Sequence, residues 1–231
     1  MKSVSIVIPV LDEESEIVDA LQALAPLRER GIEVLVVDGG SRDRTAALAR
    51  PLCDRVITAP RGRALQMNAG AAAARGQILV FLHADTRLPP GADQLLADAL
   101  ARSGRDWGRF DVTIAGKHPL FRIVSTMMNL RSRLTGIATG DQAIFVTRKA
   151  FAAAGTFPFI PLMEDIVFSR RMKQIGKPVC LKARVLTSGR RWEKHGVLRT
   201  ILLMSRLRLA FFFGADPDRL AERYGYTQRQ S

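Results

Sequence analysis

The sequence predicts an α/β domain: a mostly parallel sheet with helices on both faces, followed by an amphipathic C-terminal helix. Three observations lead there. Apolar runs of strand length alternate with segments of helical spacing through the first ninety residues. Those runs are almost continuously apolar, as in strands covered on both sides. The chain has 231 residues, enough for one sizeable core, and shows no linker, repeat or low-complexity tract.

Residues 4–10 read as the first strand. Residues 12–27 read as a helix, with Ile17, Leu21 and Leu24 at helical spacing. Asp12, Glu13 and Glu14 fall in its first turn, where carboxylates suit the helix dipole. A second strand, 33–37, ends at Asp38-Gly39-Gly40, and a helix over 43–50 follows. Then come strand 55–58, helix 63–74 and strand 77–82. Beyond Pro90 the rhythm loosens. Helices are expected over 91–103, 119–134, 164–174 and 197–213, and extended segments over 107–114, 143–146 and 179–186. In the helix over 119–134, Ile123, Met127 and Leu130 share one side.

Lysine and arginine outnumber aspartate and glutamate 35 to 22, a net charge of +13. Such an excess suits nucleic acid, anionic lipid or phosphorylated ligands. Helix-turn-helix, zinc-finger and RNA-binding aromatic signatures are missing, and aromatic residues make up only 6%. The expectation is therefore no nucleic-acid partner, leaving phosphate ligands and a membrane surface. Cys53 and Cys180 are too isolated for a disulfide framework or thiolate metal site, so a reducing cytoplasm is expected. The N-terminal apolar run, broken by Pro9, does not read as a signal peptide. No uninterrupted apolar stretch reaches the roughly 18 residues that suggest a membrane span.

The most informative segment is Ile78 to Thr86. Five apolar residues, Ile78 to Leu82, stop at His83, Ala84, Asp85 and Thr86, with Pro89 and Pro90 beyond. Ligands of open α/β sheets collect at the carboxyl ends of strands, and a carboxylate there can hold a divalent cation against a phosphate. Asp85 can equally cap a turn. Asp38, at the end of the second strand, can accept hydrogen bonds from a base or ribose, or simply belong to a well-capped turn with Ser41 and Asp43.

Three segments together resemble family 2 glycosyltransferases: Ser5 to Glu14 (SIVIPVLDEE), Val36 to Thr45 (VVDGGSRDRT) and Phe81 to Asp85 (FLHAD). Gly62-Arg63, Gln66 to Gly70 and Glu164-Asp165 continue the match, which runs in order over roughly residues 3–195. The chain looks closest to a compact bacterial branch with a His-Ala-Asp-Thr motif, the selenodomain-associated transferases. The resemblance implies a single GT-A-type domain acting on nucleotide-diphosphate sugars, UDP- or GDP-linked. Its nucleotide-sugar half would cover 1–90, its acceptor half 91–195, and a helical tail 196–231.

The resemblance also implies roles. Pro9 and Glu13 match the first nucleotide-contacting segment, with Glu13 near the ribose. Asp38 resembles the carboxylate that reads the base, and Arg63 lies where a basic residue meets base or phosphates. Asp85 matches the last acid of the D-x-D motif that holds Mg²⁺ or Mn²⁺. The first acid of that motif is His83 here, and an imidazole cannot supply the hard anionic oxygen that Mg²⁺ prefers. His83 would bond a ribose or bind a softer metal, or be a core histidine.

Asp165 matches the general base that deprotonates the acceptor hydroxyl, which implies inversion at the anomeric carbon. Glu164 would hold the acceptor, and Asp141 would line the sugar or acceptor pocket. Both Glu164 and Asp165 also suit an ordinary helix start. Ser188 to Trp192 (SGRRW) resembles the Q-x-x-R-W motif of processive members, without its Gln. There Arg191 would bind diphosphate and Trp192 stack on the acceptor. His195, on the same loop, is a candidate metal ligand or a surface histidine. The apolar tail with Arg199, Arg206 and Arg208 would lie in an anionic membrane interface, peripheral on the cytoplasmic face and suited to a lipid-linked acceptor, or pack on the core or a second copy. Two other classes stay open: a sugar-nucleotide pyrophosphorylase, whose Gly-rich basic signature is replaced here by Leu11 to Glu14, and a non-catalytic basic protein binding nucleotides or membrane.

Overall fold

Along β1 (Val4–Val10), Ile6, Ile8 and Val10 join one hydrophobic cluster while Val7 joins another, the period-two alternation of a strand. All four are buried, so the strand is covered on both sides. The computed structural model describes residues 3–225, and among these eight strands form one sheet. The others are β2 (Glu33–Asp38), β3 (Arg55–Thr58), β4 (Ile78–Phe81), β5 (Thr86–Arg87), β6 (Trp107–Ala115), β7 (Ile144–Thr147) and β8 (Val179–Ser188). Their order is β3-β2-β1-β4-β7-β6-β8-β5. The strands of the first half, β3 to β4, are parallel throughout. Then β7 runs antiparallel to both β4 and β6, β6 pairs parallel with β8, and β5 lies antiparallel on β8. The sheet is thus parallel where strands and helices alternate strictly, and mixed beyond.

Eleven α-helices lie among the described residues: α1 (Ile17–Gln22), α2 (Ala25–Glu29), α3 (Thr45–Ala49), α4 (Arg63–Ala73), α5 (Ala92–Ser103), α6 (Leu120–Thr135), α7 (Arg148–Ala153), α8 (Glu164–Ile175), α9 (Arg190–His195), α10 (Val197–Phe212) and α11 (Pro217–Tyr224). On one face, Ile17 and Leu21 of α1 and Leu96 and Leu100 of α5 pack with Ile6, Val36 and Val80. On the other, Ala64, Met67 and Ala71 of α4 pack with Val7, Leu35 and Phe81. Each fully buried aliphatic or aromatic side chain contributes about 1.5–3 kcal/mol. Helix α4 comes so close to the sheet that a Cβ at Gly70 would overlap the side chains of Val7 and Val37.

Two expectations change. The helix expected from residue 12 begins only at Ile17 and breaks again before α2. Asp12 takes a left-handed φ of 53° instead. The amides of Asp12, Glu13 and Glu14 donate to the side chains of Ser41, Thr45 and Asp43 at 2.8–3.0 Å, so they do not open a helix. Ser188 to His195, expected as a loop, ends β8 and then forms α9.

The apolar side of α6 points outward. Ile123, Met127, Leu130 and Leu134 are exposed, Leu134 by 77%, whereas Ser125, Asn129 and Ser132 are buried. Strand β6 dictates this orientation. It is irregular between Phe110 and Asp111. The Asn129 side chain receives the Val112 N–H and donates to the Val112 carbonyl, at 2.8 and 2.9 Å. Ser125 Oγ accepts the Ile114 N–H at 3.0 Å. The fully buried Arg109 donates to Ser132 Oγ and to the Asn129 carbonyl, and pairs with Asp111. Buried polar groups need partners, and α6 supplies them.

Candidate active site

The loops after β1 and β2 are laced together. Asp12 Oδ1 accepts the Arg42 N–H at 2.7 Å, and Glu14 binds Arg44 through backbone and guanidinium. Asp38 is buried and accepts from the Ser41 N–H and hydroxyl. Behind it, the buried Gln66 of α4 donates to the carbonyls of Val10 and Val37 at 2.7 and 2.8 Å, clamping the two strand ends. These contacts leave Glu13 free to face a cavity.

That cavity, about 900 Å³, lies beyond the carboxyl ends of β1 and β4. Glu13, Arg63, His83, Asp85, Asp141, Glu164, Asp165 and His195 all line it. Of the remaining expected site residues, Pro9 and Asp38 lie outside the lining, on neighbouring strands and registered against Val37 and Val10. Trp192 also lies outside it, half-buried against the main core cluster rather than open to an acceptor. The side chain of Arg191 lies outside the described residues.

The turn before β7 meets the start of α8. Asp165 Oδ2 accepts the Gly140 N–H at 3.0 Å, and Oδ1 accepts the Ile166 N–H at 2.8 Å. His83 Nδ1 stands 3.3 Å from Asp141 Oδ1. Its ring lies against Gly140, where a Cβ would overlap Nε2 and Cε1. Burial works against the Asp141 charge, yet the His83 contact and the nearby Arg63 and Arg208 hold its carboxyl below the usual range. Asn68 of α4 exchanges two hydrogen bonds with the backbone of Phe157, fixing the segment that leads to α8.

Glu164 is buried with Oε1 3.7 Å from Arg63 Nη1. Burial pushes its carboxyl up to about 7; Arg63 opposes that rise and Asp165 adds to it. Burial opposes the Arg63 charge, but the facing carboxylates, Glu164 first, outweigh it and raise its proton affinity. At the other end, burial and then the Asp85 charge raise the Glu13 carboxyl, so these two acids share one space.

Hard carboxylate oxygens on Glu13 and Asp85 are donors of the type that Mg²⁺ or Mn²⁺ takes. Among the described residues no three His, Cys, Asp or Glu side chains converge as a cage. Mg²⁺ bound against phosphates commonly takes only one or two carboxylates, so the donor set fits a metal completed by a diphosphate. His195 lines the cavity without joining such a group.

Sequence reasoning missed the wall supplied by the tail. Arg199, Thr200, Leu203, Met204 and Arg208 of α10 and Tyr224 of α11 line the cavity. Leu207 of α10 and Leu220 of α11 pack with Leu162, Met163 and Ile166. The available signal was cationic residues interrupting an otherwise apolar helix.

The glycosyl transferase family 2 model matches residues 5–152. The chain belongs to glycosyl transferase family 2. Among curated family relatives, an undecaprenyl-phosphate 4-deoxy-4-formamido-L-arabinose transferase of Pseudomonas paraeruginosa (strain DSM 24068 / PA7) is 33% identical over 98 residues, covering 38% of this chain and 29% of that protein. Its counterpart in Pseudomonas fluorescens (strain Pf0-1) is 32% identical over 155 residues, covering 60% and 44%. The chain therefore matches less than half the length of these relatives. In fold this family 2 chain resembles S. aureus TarS 1-349 in complex with UDP-GlcNAc, with a TM-score of 0.66 at 18% identity over 80% of this chain and 58% of that one. It also resembles the Pyrobaculum calidifontis mannosyltransferase PcManGT in complex with GDP-Man and Mn²⁺, with a TM-score of 0.63 at 20% identity over 97% and 69%. The mixed sheet with covering helices is the GT-A fold of these neighbours.

Proposed function

We propose that this family 2 chain moves a sugar from a UDP- or GDP-linked donor to an acceptor hydroxyl with inversion at the anomeric carbon. One observation carries the proposal. A single cavity brings the Glu13 and Asp85 carboxylates together with Arg63, Glu164 and Asp165. Family membership and neighbours that bind UDP-GlcNAc and GDP-Man support it.

In this scheme Asp38 and Pro9 lie under the base, Glu13 meets the ribose, and Arg63 faces the diphosphate. A divalent cation, Mg²⁺ or Mn²⁺, held by Asp85 with Glu13 nearby, would neutralise charge on the departing nucleotide when bound. Asp165 takes the acceptor proton. Its two backbone hydrogen bonds fix its direction. Glu164, buried beside Arg63 and lining the same cavity, would hold the acceptor.

We place the protein at an anionic membrane face. No helix is long and apolar enough to cross a membrane among the described residues. Yet Leu198, Leu202, Leu209 and Phe212 are exposed along one stripe of α10, flanked by exposed Arg199 and Arg206. Such a stripe with cations beside it suits a bilayer of anionic headgroups.

The test is a thermal-shift panel of nucleotide sugars with Mg²⁺ or Mn²⁺, followed by donor turnover in Asp85→Ala and Asp165→Asn. A metal-dependent rise in Tm with UDP- or GDP-sugars, and turnover lost in both variants at near-native Tm, is expected. Undiminished turnover in Asp165→Asn would remove that residue from the mechanism.

A further inference from the structure

Among the described residues, four that are not glycine take a left-handed φ: Asp12, Ala143, Thr156 and Met163. Three of them adjoin acids of the cavity. Asp12 precedes Glu13, Ala143 closes the turn that carries Gly140 and Asp141, and Met163 precedes Glu164 and Asp165. A side chain crowds the backbone in that region, so such residues persist only where their surroundings hold them, and they gather at functional sites. Of the three, Met163 stands nearest in sequence to Asp165, the proposed base.

Met163, at φ 70° and ψ 18°, is the corner from which α8 starts. Nothing local favours it there. An Asn or Asp could bond nearby backbone in this conformation, whereas the thioether forms no capping hydrogen bond. The chain is anchored on either side of the corner. Asn68 holds the Phe157 backbone before it, and Phe168 and Met172 of α8 are buried in the core after it. The Met163 side chain is itself buried, in a cluster to which the tail contributes Leu207 of α10 and Leu220 and Ala221 of α11. Turning Met163 to an ordinary helical φ would draw that side chain out of the cluster and swing the first turn of α8. Asp165 would then leave the Gly140 amide, which stands 3.0 Å from its Oδ2.

We propose that Met163 is a positioning residue for Asp165: its left-handed corner, held down by α10 and α11, aims the carboxylate at the Gly140 turn. This deepens the sugar-transfer proposal and rests on it for the role of base; the corner's hold on the carboxylate does not.

The test compares Met163→Ala, Met163→Gly and Met163→Leu in the full chain by hydrogen exchange of the Gly140 amide, followed by NMR. Ala and Gly remove the same packing and the same contact with any ligand, but only Gly takes a left-handed φ freely. Met163→Ala should exchange at Gly140 about tenfold faster than wild type, and Met163→Gly within about threefold of it. Met163→Leu, which keeps the bulk, should match wild type. A side chain that merely packs predicts the reverse order, since Gly loosens the chain more than Ala does. With a nucleotide sugar as substrate, kcat should be about tenfold higher in Met163→Gly than in Met163→Ala, at equal donor KM. Loosening the tail by Leu220→Ala should also speed Gly140 exchange. Adding Met163→Gly to it should restore protection while lowering Tm further, and this pair decides the matter if Met163→Ala fails to fold. Exchange in Met163→Gly as fast as in Met163→Ala, or native protection in Leu220→Ala, would overturn the proposal. A wild type that turns over no nucleotide sugar would remove the sugar-transfer reading, and Gly140 exchange would still decide this one.

Discussion

Arg63 Nη1 lies 3.7 Å from Glu164 Oε1, joining helix α4 of the first half to helix α8 of the second. The pairing does not keep Glu164 fully ionised. Burial wins, and the carboxyl is half-protonated near neutrality at about 7.

This sets a pH dependence for stability. Glu164 binds its proton more tightly folded than at its ordinary value of 4.5. Its contribution is complete below about 4.5 and is lost as pH rises through about 7. Wild type should therefore lose Tm between pH 5 and pH 8 more steeply than Glu164→Gln. Parallel profiles for the two proteins would exclude Glu164 as the source.

The Arg109–Asp111 pair is buried beneath α6, with Arg133 reaching Asp111 from the side at 2.7 Å. Changing Asp111 to Asn leaves Arg109 as an uncompensated buried charge. The expected loss is about 3–5 kcal/mol in urea unfolding. Replacing both partners by apolar residues should recover much of it.

Gln66 satisfies two carbonyls at once, on Val10 and Val37. Gln66→Leu keeps the bulk and removes both donors. Each orphaned group costs about 1–3 kcal/mol. The same variant should weaken nucleotide binding, because Glu13 and Asp38 follow those strand ends. Calorimetry with UDP would register that second effect.

The exposed stripe of α10 makes a separable claim. Flotation with anionic liposomes should carry wild type upward, and Leu202→Gln with Phe212→Gln should abolish it without lowering Tm, since both side chains face solvent. Wild type that stays at the bottom of the gradient would discard membrane attachment.

The parallel half of the sheet was legible because its strands are apolar throughout and each is followed by a helix. The acids that line the cavity were half legible: Glu13 and Asp85 follow apolar strands and Asp165 opens a helix, but their meeting in one place was expected only from the resemblance. Helix α6 was half legible. Its span follows from spacing, but which side faces inward depends on the irregularity in β6, which no local pattern announces. The start of α1 was misplaced because Ser41, Asp43 and Thr45, some thirty residues away, capture amides that a local rule gives to a helix. The tail's share in the cavity depends on packing between α10, α11 and the start of α8, again between residues distant in sequence.

Gly140 touches both halves at once, its amide on Asp165 and its missing Cβ against His83. Any side chain there would push the imidazole out and drag the carboxylate with it. This one position thereby ties the direction of the Asp165 carboxylate to the place of the His83 ring.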